Sequence, residues 1–341
     1  MMIKNKKVLH ILMFFLASIY LSMVTACGGS SSSSNPAEED SANENSTDEN
    51  LAGEGAINDE FNAPFNFEST TSNTWNLHRF DGTSRTDSID ANQTKSGWLV
   101  MLPTIPPPGT NLGWFADTYG AYLYQEVSGN FVVATKLRVV SRNNINVQPP
   151  STNFNAGGLV IRDPAGTHNG NENWVMYNIG AQTSDTPGNT YSREIKKTVN
   201  SASNMFLTDQ DNIEEHLLTC RIGENFYFYY WDDVINNWRE ETFYNNADLN
   251  GSTISTRIAN NTTITPEIAS TLPSDGNTSP ISFRFDAANN FFMPNTLQVG
   301  LIAHNWTSAG DTRAEFDYVR FATNIPATKN DCLTEFVGLG L

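Results

Sequence analysis

Cysteine is scarce in this chain, three in 341 residues, and basic side chains are few: 20 Lys and Arg against 37 Asp and Glu, a formal charge of −17. No thiol catalysis is signalled, because nothing beside Cys220 or Cys332 would stabilise a thiolate. Nucleic acid is excluded as a partner, since phosphate binding needs clustered Lys and Arg to release counterions and no basic run follows residue 26. Hydrolase signatures are also missing. There is no Gly-x-Ser-x-Gly elbow and no His-Glu-x-x-His, and His78, His168, His216 and His304 stand apart from one another. No long amphipathic helical pattern occurs.

Long apolar runs are confined to the beginning. Lys4, Lys6 and Lys7 precede the run from Val8 to Val24, which closes in Val24-Thr25-Ala26-Cys27. Spanning a bilayer takes about 20 apolar residues, so this shorter run with its basic start and small-residue end reads as an export signal over 1–26. The closing four residues resemble a bacterial lipobox. That resemblance implies that Cys27 becomes the lipidated first residue and that the membrane is met through the lipid alone. Gly28 follows, not the Asp that retains many lipoproteins at an inner membrane, so an outer-membrane address is expected. Loss of the three lysines takes the formal charge to −20.

Residues 27–58 carry seven acids after the cysteine, no Lys or Arg and no aromatic residue. Such a segment cannot bury enough apolar area to offset its chain entropy, and it reads as a disordered tether. The domain then runs over 59–322, followed by a tail, 323–341. Cys220 and Cys332 either close one disulfide that ties this tail back or remain two buried thiols; spacing alone carries no geometry.

From Asp59 onward, short β-rich runs alternate with Asn, Gly, Pro, Asp and Ser clusters. Phe131 to Val140 has the period-2 alternation of a strand. Gly158–Arg162, Trp174–Ile179, Leu217–Ile222, Phe226–Trp231, Leu297–Ala303 and Ala314–Phe321 read likewise. The expectation is an all-β, two-sheet antiparallel sandwich or jelly roll. Phe226 to Trp231 is aromatic on both faces: Phe226, Phe228 and Tyr230 on one, Tyr227, Tyr229 and Trp231 on the other. One face fills the core. The other either lines a sugar-binding groove, where rings stack on pyranose C–H faces, or lies under a loop such as 245–280.

The order Gly129-Asn130-Phe131, Ala156-Gly157-Gly158-Leu159-Val160-Ile161-Arg162, Asn173-Trp174, Val299-Gly300-Leu301-Ile302-Ala303 and Phe316-Asp317-Tyr318-Val319-Arg320-Phe321 resembles the concanavalin A-like lectin and glucanase superfamily. Its nearest varieties are DUF1349-like domains and the accessory domains of family 43 glycosidases. The resemblance implies a jelly roll whose concave face often binds glycans. Enzymes of this superfamily carry Glu-x-Asp-x-x-Glu on one strand; here Glu315-Phe316-Asp317-Tyr318-Val319-Arg320 lacks the third carboxylate, and no catalytic residue is assigned. The resemblance also implies a structural calcium joining first and last strands, for which Asp59, Glu60 and Asp317 are the candidates. For the glycan, the candidates are Arg162, Trp174, Tyr229, Trp231, His304 and Asn305. The alternative for Arg162 and Trp174 is an arginine paired with Asp163 beside a core tryptophan. The function expected is that of a surface-anchored, non-catalytic binder of polysaccharide. Protein or matrix adhesion is the alternative, and a hydrolase or lyase with an unrecognised site comes third.

Overall fold

The computed structural model describes residues 55–79, 82–110, 120–150, 154–166, 171–181, 191–210, 212–244, 256–258, 278–280, 282–285 and 291–338. The leader 1–26, Cys27 and most of the tether therefore lie outside the described residues, as does nearly all of the loop 245–280.

The strands, in chain order, are β1 (Phe65–Asn66), β2 (Asn76–Leu77), β3 (Thr86–Ala91), β4 (Leu99–Pro103), β5 (Ala121–Ser128), β6 (Phe131–Ser141), β7 (Asn155–Arg162), β8 (Trp174–Ala181), β9 (Tyr191–Val199) and β10 (Ala202–Asp209). There follow β11 (Glu214–Ile222), β12 (Asn225–Asp232), β13 (Asn237–Glu240), β14 (Thr242–Tyr244), β15 (Thr256–Ile258), β16 (Thr278–Pro280), β17 (Ser282–Arg284), β18 (Thr296–Asn305) and β19 (Thr312–Phe321). The first sheet runs β1-β3-β4-β19-β6-β11-β12-β13, with β17 also against β12; the second runs β15-β10-β9-β8-β7-β18-β5-β2. A separate ribbon pairs β14 with β16. Every pairing is antiparallel, and the whole is a two-sheet jelly-roll sandwich.

Alternation builds the core. Leu123, Leu159, Ile161, Val175, Tyr177, Ile195, Val299 and Leu301 point inward from the second sheet, meeting Val133, Leu137, Val139, Phe226, Phe228 and Phe316 from the first. Apolar burial of this kind supplies about 25 cal/mol per Å² removed from water. The consecutive strands β18 and β19 lie in opposite sheets, β18 between β7 and β5 and β19 between β4 and β6, so the connection between them crosses from one layer to the other.

The start of the domain is tied to β19 by backbone and side-chain contacts. Asp59 and Val319 exchange backbone hydrogen bonds of 2.9 and 2.8 Å, and Glu60 takes both arms of Arg320 at 2.6 and 2.9 Å. Asp59 Oδ1 accepts from the Phe61 amide at 2.7 Å and Oδ2 from the Trp75 indole N–H at 2.8 Å. Asp317 sits where the β19–β6 register slips between Phe316 and Tyr318, and faces Lys136 at 3.5 Å. At least one oxygen of each of these three carboxylates thus meets an N–H donor or a cation.

Two polar features complete the frame. Residues 323–338 fold over the outer face of the first sheet, where the sulfurs of Cys332 and β11 Cys220 are 2.07 Å apart, a disulfide. The Trp238 indole donates to the Phe336 carbonyl at 2.7 Å, and Lys329 pairs with Glu240 at 2.6 Å. Between the sheets, Arg193 on β9 reaches Glu241 through Nε and Glu215 at 3.3 Å, with its guanidinium 3.6 Å from the centre of the Tyr230 ring. The Tyr177 hydroxyl donates to Glu241 at 2.8 Å. Burial pushes the Glu215 carboxyl up to about 7 against the pull of Arg193.

Candidate functional site

The candidate glycan residues divide into three groups. Tyr229 and Trp231 do lie on the outer face of the first sheet, but they form no groove. They are buried with Val132, Leu218, Trp238, Tyr318, Cys332 and Phe336 in a second apolar cluster, Trp231 edge-on to Trp238 at 5.6 Å. The cover includes the 323–338 segment and its disulfide.

Asn305 points the other way. Alternation cannot place neighbours on one face, and with His304 outward Asn305 turns in toward the first sheet. Its Nδ2 donates to the Pro103 carbonyl at 2.9 Å and its Oδ1 accepts from the Thr312 amide at 2.8 Å, so it ties β18 to β4 and to the start of β19. It is a joint of the fold.

Arg162, Trp174 and His304 share the outer face of the second sheet, but as buried groups with 3%, 0% and 3% of their surface exposed. The register gives this face its rows. Trp174 lies beside Arg162, which lies beside Gln298; Asn178 lies beside Gly158 and then Ile302 and Tyr122; Gly180 lies beside Ala156 and then His304. On the other side, β9 supplies Thr198, Lys196, Glu194 and Ser192 to the same face. Arg162 donates to Gln298 Oε1 at 2.7 Å and to the Gly166 carbonyl, whereas Asp163 serves its own turn by accepting from the Ala165 amide at 2.9 Å. Gln298 is thus a partner of Arg162 that the sequence did not announce. The Tyr122 hydroxyl donates to the Gln298 carbonyl at 2.8 Å, and its ring stacks on Tyr124 with centroids 5.2 Å apart.

Trp174 Nε1, both polar atoms of the Asn178 amide, Ser192 Oγ and His304 Nδ1 are all buried on this face with no hydrogen-bond partner. A buried polar group left unpaired costs about 1–3 kcal/mol, and native proteins tolerate few without a reason. Five such atoms on one sheet face, spread over roughly 20 Å along β8 and three strand spacings of about 4.8 Å across, form the candidate site. Asn178, Ser192, Tyr122 and Gln298 were not picked out from the sequence. Tyr122 and Tyr124 two residues apart were a usable signal, since period 2 puts both on one face. Ser192 gave none, because β9 carries charge on both faces.

Burial disfavours charge on this face. It pushes His304 down to about 3, raises Glu194 and lowers Lys196. An imidazole with a folded pKa below its unfolded 6.5 contributes stability that is present above pH 6.5 and lost as pH falls toward the folded value; His216, lowered to about 4 by burial, behaves alike. Glu215 has the opposite sign, its contribution being present below about pH 4.5 and lost as pH rises through about 7. From pH 6.5 to 4.5 His304 and His216 lose stability while Glu215 and Glu194 gain it, so the profile is a difference of opposing contributions. In urea unfolding His304→Phe should remove its own share of the loss, about 2 kcal/mol over that range; an unchanged slope would contradict the assignment.

Glu315 offers no acid or nucleophile. It is fully buried, with Lys95 at 2.6 Å, Arg313 at 2.7 Å and Arg138 at 3.0 Å. Burial alone would raise its carboxyl, but Lys95 and Arg313 hold it below the usual range.

A jelly roll with a polar, partly unpaired outer sheet face is the class of protein that fold and site define. No protein-family model matches the sequence, and no curated protein matches it. Among solved structures, a xylan β-1,4-xylosidase from Bacillus halodurans C-125 is similar at 15% identity and a TM-score of 0.44, over 77% of this chain and 38% of that one. The chain thus spans about two fifths of that enzyme. The Lotus tetragonolobus seed lectin is similar at 12% identity and TM-score 0.34, over 67% of this chain and 88% of that one. Lectin I-B4 from Griffonia simplicifolia gives 12% and 0.38, over 79% and 100%.

Proposed function

We propose that this chain is a lipid-anchored, non-catalytic carbohydrate-binding protein that holds a neutral glycan against the outer face of its second sheet. The unpaired polar atoms carry the reading. Trp174 Nε1 and Asn178 Nδ2 are donors, Asn178 Oδ1 is an acceptor, and Ser192 Oγ and neutral His304 Nδ1 complete a mixed set. An anion would need donors alone. A sugar hydroxyl both donates and accepts, and a row of them matches this set, while the half-buried Tyr124, backed by Tyr122, offers a ring for a pyranose C–H face. The lipobox-like Val24-Thr25-Ala26-Cys27 and the acidic tether that follows support residence at the outer membrane, the glycan being the partner.

The test is Asn178→Leu, which replaces an unpaired amide with an apolar group of similar volume. Folding stability should stay level or rise by about 1 kcal/mol. Binding by calorimetry to whichever neutral oligosaccharide a glycan array selects should weaken at least tenfold. A variant that is more stable yet binds unchanged contradicts the site, and binding of a protein or matrix ligand with no glycan favours the adhesion reading.

A further inference from the structure

At the β2 edge of the same sheet face lies a pocket of about 330 Å³, lined among others by Glu68, Thr70, Trp75, Asn76, Arg79 and Tyr124. Two of these residues belong to the binding face itself. Asn76 pairs with Tyr124 across β2 and β5, and Tyr124 lies beside Gly300, on the side of the sheet that carries Trp174 and Asn178. Tyr124 is in the pocket wall, and its stacked neighbour Tyr122, fully buried, stands in the row of Asn178.

The pocket's charges are satisfied internally. Glu68 accepts from Ser84 at 2.5 Å, from Thr86 and from Arg79 at 3.1 Å, so carboxylate and guanidinium neutralise one another. The Trp75 N–H is committed to Asp59 at 2.8 Å. What remains for a ligand is exposed Asn76, the half-buried Tyr124 ring and the hydroxyls of Ser69, Thr70 and Thr71. This is a hydroxyl-rich lining with paired charges, the half-buried Tyr124 as one wall and buried Trp75 and Phe67 beneath, closed on one side by the turn at 67–70.

We infer that this pocket is an end-binding subsite, which takes the terminal unit of a neutral oligosaccharide chain whose remainder leaves over Tyr124 toward the sheet face. The inference rests on the carbohydrate reading above. It implies a preference for chain ends and a dependence of affinity on chain length, with the pocket contributing only when the chain is long enough to reach it.

The experiment is calorimetry with neutral gluco-, xylo- and galacto-oligosaccharides of two to six units, on the chain without its first 26 residues, for the parent, Tyr124→Ala and Asn76→Leu. Affinity of the parent should rise with length, and both variants should lose roughly tenfold or more on the longest ligands while the shortest bind as before. Asn76 is exposed and Asn76→Leu should fold normally, so it separates lost contacts from lost structure. Equal affinity at every length in parent and variants, with Asn178→Leu still impaired, overturns the subsite and spares the face. Failure of every oligosaccharide to bind the parent overturns the carbohydrate reading itself. Loss that is equal for short and long ligands assigns Tyr124 to the face alone and also overturns the subsite.

Discussion

Replacing Cys220 and Cys332 by serine should lower the folding free energy by about 5 kcal/mol. The bridge joins residues 112 apart, and in the chain-entropy description closing a loop of that size removes this much disorder from the unfolded state. The native state is weakened as well. Without the bridge the 323–338 segment is held by the Trp238–Phe336 hydrogen bond, Lys329–Glu240 and the contacts of Phe336. Its release would bare Tyr229, Trp231 and Trp238 on the outer face of the first sheet. Denaturant unfolding without reductant should show the loss, and an apolar dye should bind the double variant under conditions where the parent leaves it free. A loss under 1 kcal/mol without dye binding would mean that packing alone holds the tail.

Glu241→Ala should cost about 3–5 kcal/mol, because it strands a buried cation. Glu241 is 1% exposed and takes both the Arg193 Nε–H and the Tyr177 hydroxyl. With it gone, Arg193 keeps only Glu215 at 3.3 Å and the face of the Tyr230 ring. Glu241→Gln, which can still accept from Tyr177, should cost less than the alanine. A combined Arg193→Met, Glu241→Leu variant should recover much of the loss, since a buried pair exchanged for apolar groups of like size is often neutral. Thermal unfolding of the three variants gives the comparison. An alanine variant as stable as the parent would contradict the placement of Arg193 between the sheets.

The same cluster shows where sequence reasoning stopped. Strands with apolar alternation were legible: β6, β7, β8, β11, β12, β18 and β19 each contain a run readable by period 2. β9, Tyr-Ser-Arg-Glu-Ile-Lys-Lys-Thr-Val, was not, because Arg193 and Lys197 point inward to partners far along the chain while Glu194 and Lys196 point outward. Lys197 donates to the Arg284 carbonyl, and no local pattern announces that. The aromatic doubling of β12 was legible, but its cover was not: the 323–338 segment is not apolar enough to mark a strand, and it is seated by the disulfide, the contacts around Phe336 and long-range polar pairs such as Lys329–Glu240. His304 and Asn305 illustrate the limit from the other side. Adjacent residues in a strand cannot share a face, and the rule that separated them was available in the sequence.

The outer face of the second sheet was half visible. Arg162, Trp174 and His304 follow from alternation in β7, β8 and β18, once each strand is recognised. That they fall on one face with Asn178 and Ser192 depends on the order β9-β8-β7-β18, which is long-range and absent from any single stretch. Nor could the sequence say which polar groups would lack partners. That quantity is defined only once every neighbour is in place.

The most direct measurement is the indole N–H resonance of Trp174 in ¹⁵N-labelled protein during titration with the oligosaccharide selected by the array. Trp174→Phe assigns the signal. If a neutral glycan lies on the outer face of the second sheet, that N–H gains its first acceptor, and its resonance should move saturably downfield with the calorimetric affinity. Saturating glycan binding that leaves the Trp174 indole resonance in place would contradict the account.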